Sequence, residues 1–247
     1  MINQNYEKLL QLKLDKFAEL YKSQTNKKQY SELPFDERLS VLVDAELEDK
    51  RNKMIASMRR SANIRIPNAN LSDIEFYPDR KINKNLTYEL HESEYIKEQL
   101  NIIVVGATGA GKTYYVSALA NSAIDKGIRT KYLRLPDLLY DLNLAKYDIK
   151  SFKRKLRALS RIELLIIDDW LLTELTDEQQ SDIFELLELR NEAHSTIFAS
   201  QFETSGWHEK LGSGAVADAI MDRIIHNSYH IEIHGTKSMR ERNSKIK

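Results

Sequence analysis

The stretch Ile102-Ile-Val-Val-Gly-Ala-Thr-Gly-Ala-Gly-Lys-Thr113 decides the fold of this chain of 247 residues. Its first four residues predict a buried strand, and the residues from Tyr114 to Asp125 predict a helix. The loop between them has the pattern G-x-x-x-x-G-K-T, which in this strand–loop–helix setting is typical of a phosphate-binding loop. An ordinary glycine-rich turn is the alternative, but such a turn does not require the full pattern. The stretch therefore predicts an α/β fold with a parallel sheet.

The chemistry of this loop suits a nucleoside triphosphate. Glycines allow consecutive backbone N–H groups to curl around a phosphate, and the following helix points its positive end at the same anion. We expect Lys112 to neutralise the β- and γ-phosphates and the Thr113 hydroxyl to bind Mg²⁺. The predicted contacts to ATP are Gly106, Ala107, Thr108, Gly109, Ala110, Gly111, Lys112, Thr113 and Tyr114.

A second apolar run, Leu164-Leu-Ile-Ile-Asp-Asp-Trp170, ends in two carboxylates. It predicts a buried parallel strand that carries Asp168 to Mg²⁺ and Asp169 to the attacking water. Paired acids at the end of a strand can also cap the next helix. The phosphate-binding loop upstream favours the Mg²⁺ and water roles, because two halves of one chemistry then occur in one chain.

Polar residues also end the predicted strand Ser195-Thr-Ile-Phe-Ala-Ser-Gln201. Ligands bind at the carboxyl ends of strands in open α/β sheets, so we expect Ser200 and Gln201 to face the γ-phosphate. A turn that merely ends the strand is the alternative.

Upstream of the phosphate-binding loop, Ile74 or Phe76 could pack on the adenine or simply within the connecting segment.

Composition excludes several classes of protein. There is no cysteine, so disulfides and thiolate metal sites are excluded. No apolar run is long enough for a transmembrane helix, and the first residues lack a signal-peptide pattern, so we expect a cytoplasmic protein. Lys and Arg together number 37, as do Asp and Glu, so only local patches could point to a nucleic acid.

The first 66 residues predict a small helical domain, and residues 67–247 a nucleotide-binding domain. Helical periodicity covers residues 5–22 and residues 36–61. The second helix would bury a stripe of apolar side chains, namely Leu39, Val43, Leu47, Met54 and Met58.

The sequence contains two local basic patches, one at residues 50–65 and one at residues 146–161. The first could simply complement a helix dipole and the second could be a solvated helix face, or both could contact DNA phosphates. The predicted DNA-binding residues are Lys53, Arg59, Arg60, Arg65, Lys153, Arg154, Lys155 and Arg157.

The combined pattern resembles the IstB/DnaC group of AAA+ ATPases, and within it the IstB-type helper ATPases of insertion sequences. The resemblance covers most of the chain. It includes Phe35-Asp-Glu-Arg-Leu39 in the helical domain, the junction Ile64-Arg-Ile-Pro67, the two motifs above, Ala217-Asp-Ala-Ile-Met-Asp-Arg-Ile-Ile-His-Asn227 and Ser238-Met-Arg240. The chain departs from the pattern at Ile66, where an aromatic residue is usual, and at Asp169, where many AAA+ proteins have Glu.

The resemblance implies a AAA+ P-loop αβα core with a parallel sheet, preceded by a small all-α domain. It also implies roles for single residues. Arg223 matches the arginine finger that reaches the γ-phosphate of a neighbouring subunit, Arg240 matches sensor 2, and Ser200 or Gln201 matches sensor 1. Arg223 could instead form a salt bridge with Asp222, and Arg240 could belong only to the basic tail.

The implied function is a Mg²⁺-dependent ATPase that forms a homo-oligomer on duplex DNA, contacts the DNA backbone without sequence preference, and recruits and stimulates a partner transposase. A DnaC-like replicative helicase loader is the alternative. A small-molecule or nucleoside kinase is a third possibility, against which Asp169 and the C-terminal arginines argue.

Overall fold

This computed structural model describes residues 2–27, 30, 32–235 and 237–242. The chain forms two compact units, Met1–Ser57 and Met58–Lys247. Among the described residues, no helix is both long and apolar enough to cross a membrane. The functional division at residue 66 stays a prediction.

The N-terminal unit begins with two helices where the periodicity predicts one. Helix α1 is Ile2–Gln11 and helix α2 is Asp15–Asn26. The prediction of one helix was wrong because the chain turns at Lys13, whose φ of 58° is left-handed. The amide of Leu14 donates to the carbonyl of Leu9 at 3.0 Å, as in a Schellman motif that ends a helix.

Helix α3, Phe35–Ala62, has the predicted extent but not the predicted buried face. Of the predicted stripe, Leu39, Val43, Leu47 and Met54 are exposed, Leu47 to 61%. The inward face carries Leu42 and Glu46, both 5% exposed. The Glu46 carboxylate accepts a hydrogen bond of 2.9 Å from the amide of Phe17 in the first turn of α2. A buried acid therefore caps a neighbouring helix, which periodicity of apolar residues could not predict.

The second unit alternates helices with strands. Its elements after α3 are α4 (Lys84–His91), α5 (Glu94–Lys97), β1 (Asn101–Val105), α6 (Lys112–Asp125), β2 (Thr130–Arg134), α7 (Leu135–Ala145), α8 (Ile149–Ser160), β3 (Leu164–Asp168), α9 (Asp177–Glu188), β4 (Ser195–Ser200), α10 (Trp207–Lys210), α11 (Gly214–Ile225), β5 (Ser228–Glu232) and α12 (Met239–Arg242). The strands predicted from the three apolar runs above are all present, within two residues of their predicted bounds.

The five strands form one parallel sheet in the order β2-β3-β4-β1-β5. This confirms the predicted α/β class with a parallel sheet after N-terminal helices. Because all strands are parallel, their carboxyl ends share one edge of the sheet. The phosphate-binding loop after β1 and the acids at the end of β3 therefore meet at that edge.

The core occupies both faces of the sheet. One face packs against α7, α8, α9 and α11, around the rings of Trp170, Phe198 and Trp207. The ring centroids of Trp170 and Phe198 are 4.8 Å apart. Alternate strand residues such as Ile102 and Ile166 point to the opposite face, on which α6 lies. The β1–loop–α6 unit is thereby fixed in the core.

Arg190, directly after α9, is a buried residue that the sequence did not single out. Its guanidinium donates to the carbonyls of Leu159, Ile162 and Ser195 and, at 2.9 Å, to the Thr196 hydroxyl. Burial lowers its pKa to about 9. The side chain satisfies carbonyls where α8 ends and β4 begins, so its role is structural.

Candidate nucleotide-binding site

The loop 106–111 leaves β1 and enters α6 as the motif predicts. Gly106 has a φ of 155°, and a Cβ there would lie 2.2 Å from the carbonyl oxygen of Ile233. Only glycine fits so close to the chain that follows β5. The Nζ of Lys112 donates to the carbonyls of Gly106 and Ala107 at 2.5 and 3.0 Å. The lysine therefore lies over the loop, where a phosphate oxygen could replace these carbonyls.

The pKa of Lys112 is lowered by burial, an effect opposed by the charges of Asp168 and Asp169. Burial without a full counter-charge is unfavourable for an ammonium group. A phosphate at the loop would supply that counter-charge.

Asp168 is fully enclosed and is surrounded by hydrogen-bond donors. It is 1% exposed, and its Oδ2 accepts a hydrogen bond of 2.9 Å from the Thr113 hydroxyl. The same oxygen accepts from the Tyr132 hydroxyl, and its Oδ1 accepts from the amide of Asp169 at 2.8 Å. Burial, followed by the charge of Asp168, raises the pKa of Tyr132. Tyr132 thus remains a donor that orients the carboxylate.

Two arginines hold the second acid. The Nε of Arg134 donates to Oδ2 of Asp169 at 2.7 Å, and the Nη1 of Arg65 lies 3.5 Å from the same oxygen. The hydrogen bond to Asp169 is the largest cause that raises the pKa of Arg134. Asp169 has a left-handed φ of 53°, which directs its side chain differently from a regular strand residue. The structure thus places Arg65, predicted as a DNA contact, beside the acid pair.

A cavity of about 340 Å³ lies beside the phosphate-binding loop, lined by Arg65, Ile66, Gly109, Gly111, Lys112, Thr113, Tyr114 and Met239. Its polar side is the phosphate-binding loop, and its apolar side consists of Ile66, Tyr114 and Met239. Ile74 and Phe76, each considered as a contact to the adenine or as packing of the connecting segment, do not line this cavity. Ile74 is buried, and Phe76 packs against Tyr88 with ring centroids 6.3 Å apart.

Comparison with known proteins identifies the family to which this chain belongs. A family model described as IstB-like ATP binding protein matches residues 7–246. The chain belongs to this family. It therefore is an ATP-binding protein of the kind found in insertion sequences, and the resemblance drawn from the sequence is confirmed.

Similar curated proteins span nearly the whole chain. A Sinorhizobium fredii protein assigned as an insertion sequence ATP-binding protein is 30% identical over 239 residues, which covers 97% of each chain. A Pseudomonas fluorescens protein assigned to the same role is 33% identical over 205 residues, 83% of this chain and 88% of that protein.

Solved structures support the fold. The crystal structure of the DnaC helicase loader matches with a TM-score of 0.54 at 21% identity, over 67% of this chain and 97% of that chain. AMPPCP-bound DnaA from Aquifex aeolicus matches with a TM-score of 0.57 at 20% identity, over 71% of this chain and 53% of that chain. At these identities the likeness shows the fold alone, and it confirms the predicted AAA+ core.

Ser200 and Gln201, the two residues considered for sensor 1, make different contacts in this IstB-like chain. The Oε1 of Gln201 accepts a hydrogen bond of 2.8 Å from the Thr108 hydroxyl of the phosphate-binding loop. The buried Ser200 hydroxyl instead donates to the carbonyl of Trp170 at 2.9 Å and accepts from the amide of Phe202. Gln201 is therefore the one whose side chain reaches the loop.

Arg223 lies far from the chain's own phosphate-binding loop. The Nδ2 of Asn101, the first residue of β1, donates to the carbonyl of Arg223 at 3.4 Å. The loop follows the opposite end of β1, roughly 13 Å away at about 3.3 Å per residue. Arg223 does form a structural salt bridge, the alternative to a catalytic role, but with Glu188 and not with Asp222, and its guanidinium lies 4.7 Å from the centre of the Phe184 ring.

The C-terminal helix α12 lies against the phosphate-binding loop. The amide of Met239 donates to the carbonyl of Gly109 at 2.8 Å. Arg242 pairs with Asp79 and lies 4.5 Å over the ring of Tyr77. The side chain of Arg240 lies outside the described residues, so its assignment as sensor 2 stays a prediction.

The two basic patches differ in how far their charges are already paired. In the first, Lys53 pairs with Asp49 at 2.7 Å and Arg59 pairs with Asp125, while Arg60 is exposed. In the second, one face of α8 lines an open depression of about 420 Å³, formed by Lys150, Lys153, Arg154, Arg157, Ala158 and Arg161. Lys155 lies elsewhere and pairs with Asp141. The α8 face is the more concentrated positive surface.

Tyr132 and Arg134 contribute to this site but were not predicted from the sequence. Both belong to β2, whose register sets Arg134 beside Asp168 of β3. The available signal was the polar residue Arg134 at the end of the second strand, but the sequence does not give the order of the strands, so the position of Arg134 beside β3 could not be predicted.

Proposed function

We propose that this IstB-like chain is a AAA+ ATPase that assembles on duplex DNA and assists the transposase of an insertion sequence. The observation that supports hydrolysis is the convergence of Lys112, Thr113, Asp168 and Asp169 at one edge of the sheet. The family supports the link to insertion sequences, whose ATP-binding proteins would act beside a transposase. The DnaC-like helicase loader remains the alternative, with a fold likeness as its only support.

The side chains suit a bound Mg²⁺. The Thr113 hydroxyl and the Asp168 carboxylate are hard oxygen ligands 2.9 Å apart, and they are the two groups that would hold the ion. The ion, when bound, would neutralise charge on the β- and γ-phosphate oxygens.

The proposed reaction is ATP plus water to ADP plus phosphate. Asp169 accepts a proton from water as the water oxygen attacks the γ-phosphorus, and the bond from that phosphorus to the bridging oxygen of the β-phosphate breaks. Lys112 stabilises charge on the phosphates. Gln201, held by Thr108, would orient the γ-phosphate. Because Arg223 lies beyond the opposite end of β1, it would act on ATP in a neighbouring subunit.

This arrangement would couple nucleotide to assembly. The γ-phosphate would contact one subunit through Lys112 and the next through Arg223, so ATP links two copies. Hydrolysis removes the link and would release the DNA.

The nucleotide site is tested with Lys112→Ala. We expect ATP binding, measured by calorimetry, to fall below detection, because the loop loses its only long cationic side chain. Lys126→Ala at the far end of α6 is the control, since Lys126 pairs with Glu92 outside the site. Wild-type affinity in Lys112→Ala would contradict the assignment.

The α8 face is tested by removing two charges with Lys153→Gln and Arg157→Gln. We expect weaker binding to duplex DNA of any sequence and a salt dependence whose log–log slope is shallower by about 0.9 for each phosphate that is no longer neutralised. Fluorescence anisotropy over a salt series measures both. The control removes the same charge elsewhere, with Lys97→Gln and Arg129→Gln. An unchanged slope in the α8 variant would assign DNA binding to another surface.

A further inference from the structure

Arg80 is a buried cation directly behind the phosphate-binding loop. It ends the short 3₁₀ turn Pro78–Arg80 and is 5% exposed. Its Nη2 donates to the carbonyl of Ala110 at 3.0 Å, and its Nη1 donates to the carbonyl of Glu75 at 3.0 Å. Its Nε is buried without a hydrogen-bond partner among the described residues.

The surroundings of Arg80 compensate its charge incompletely. Burial lowers its pKa, and the neighbouring guanidinium of Arg242 lowers it further; the charges of Glu75 and Asp79 oppose this effect without cancelling it. A buried charge whose acceptors are two neutral carbonyls is costly. An anion close to the loop would offset this cost, so the position favours phosphate binding.

The hydrogen bond to Ala110 also sets the orientation of a donor. In a trans peptide the C=O and the following N–H point in opposite directions, so the amide of Gly111 points away from Arg80. Gly111 lines the nucleotide cavity and Arg80 does not. The Gly111 N–H is therefore turned toward the cavity, and a polarised C=O makes that N–H a stronger donor.

Gly111 is shaped for this contact. Its φ is +100°, and a Cβ there would lie 2.8 Å from Nη2 of Arg80. The last glycine of the motif thus allows the guanidinium to approach the loop from behind. The turn that contains Arg80 is also held in place, because the backbone carbonyl of Arg80 accepts a hydrogen bond of 3.1 Å from the amide of His234.

We propose that Arg80 is a positioning residue for the nucleotide phosphates: it fixes the Gly111 amide, adds positive charge behind the loop, and makes the site selective for nucleoside di- and triphosphates over monophosphates. This inference rests on the proposed nucleotide site. It concerns a residue outside the motif, which no motif pattern would select.

The test compares affinities for ATP, ADP and AMP in wild type, Arg80→Met and Arg80→Lys. We expect Arg80→Met to bind ATP and ADP roughly 10- to 100-fold more weakly, since the charge-assisted hydrogen bond that holds the Ala110 carbonyl is removed, and to bind AMP as wild type does. Arg80→Lys retains the charge without the planar guanidinium, so its affinities for ATP and ADP should lie between those of wild type and Arg80→Met. Arg129→Met, which removes an exposed arginine paired with Glu163, is the control.

The ratio of ATP to AMP affinity separates positioning from a merely structural role. Equal weakening of all three ligands would mean that Arg80 only stabilises the fold and would overturn the inference. Affinities within about twofold of wild type would also overturn it and leave the nucleotide site intact. If Arg80→Met does not fold, the ratio in Arg80→Lys decides, and a wild-type ratio there overturns the inference. Failure of the wild-type protein to bind ATP or ADP would instead remove the proposed function.

Discussion

Arg223→Ala is expected to bind ATP normally and to lose hydrolysis by roughly 10³- to 10⁵-fold, the contribution typical of an arginine supplied from a neighbouring subunit. The physical reason is position. Arg223 lies at the amino end of β1, opposite the phosphate-binding loop of its own chain, and its side chain, which is 22% exposed, pairs with Glu188, which a phosphate would have to replace. Steady-state phosphate release and ATP calorimetry measure the two quantities.

Mixing two inactive variants tests whether Arg223 acts between subunits. Asp169→Asn keeps Arg223, and Arg223→Ala keeps Asp169, so some interfaces in a mixture regain both groups. We expect the mixture to hydrolyse ATP while each variant alone does not. Arg129→Ala serves as the control for loss of a surface arginine. Wild-type hydrolysis in Arg223→Ala, or an inactive mixture, would contradict action between subunits.

Asp169→Asn is expected to retain ATP binding and to lose hydrolysis by roughly 10²- to 10⁴-fold, the range for removal of a general base. The amide keeps the shape of the side chain and can still contact Arg134, but it cannot take a proton from water. Because ATP is not consumed, we also expect the variant to remain on DNA in the presence of ATP. Single-turnover hydrolysis and DNA dissociation rates measure these effects.

Asp137→Asn is a matched control for that change. Asp137 lies 3.8 Å from Nη1 of Arg134, so the control removes the other acidic neighbour of the same arginine. Its hydrolysis rate should remain near wild type. If Asp137→Asn and Asp169→Asn reduce the rate equally, the effect belongs to Arg134 and not to a base at Asp169.

The parts of the site that are local in sequence could be predicted. Lys112 and Thr113 lie in one continuous motif, and Asp168 follows an apolar run whose strand character is evident. The parallel sheet then brings these segments together without further information, because parallel strands share their carboxyl edge.

The missed parts depend on neighbours that are distant in sequence. Tyr132 and Arg134 reach the acid pair only because β2 lies next to β3. Arg65 looked like one member of a basic tract, yet its side chain lies beside Asp169. Arg80 stands in a short turn without a recognisable pattern, and its hydrogen bond to Ala110 is visible only in three dimensions.

The helical unit shows the limit of periodicity. An apolar stripe on α3 predicted burial of Leu47, but the interior face is offset and includes the acid Glu46. A single left-handed residue, Lys13, divides a predicted helix in two. The break at Lys13 comes from the capping of a helix end, and the buried Glu46 accepts a hydrogen bond from the amide of Phe17; an apolar pattern records neither.

If ATP links copies of this chain on duplex DNA, particle size measured by light scattering after chromatography should depend on both ATP and DNA. Wild type and Lys112→Ala would each be measured on duplex DNA with ATP, ADP or no nucleotide. We expect large particles only for wild type with both ATP and DNA. Particles of one size in every condition, or large particles formed by Lys112→Ala, would contradict it.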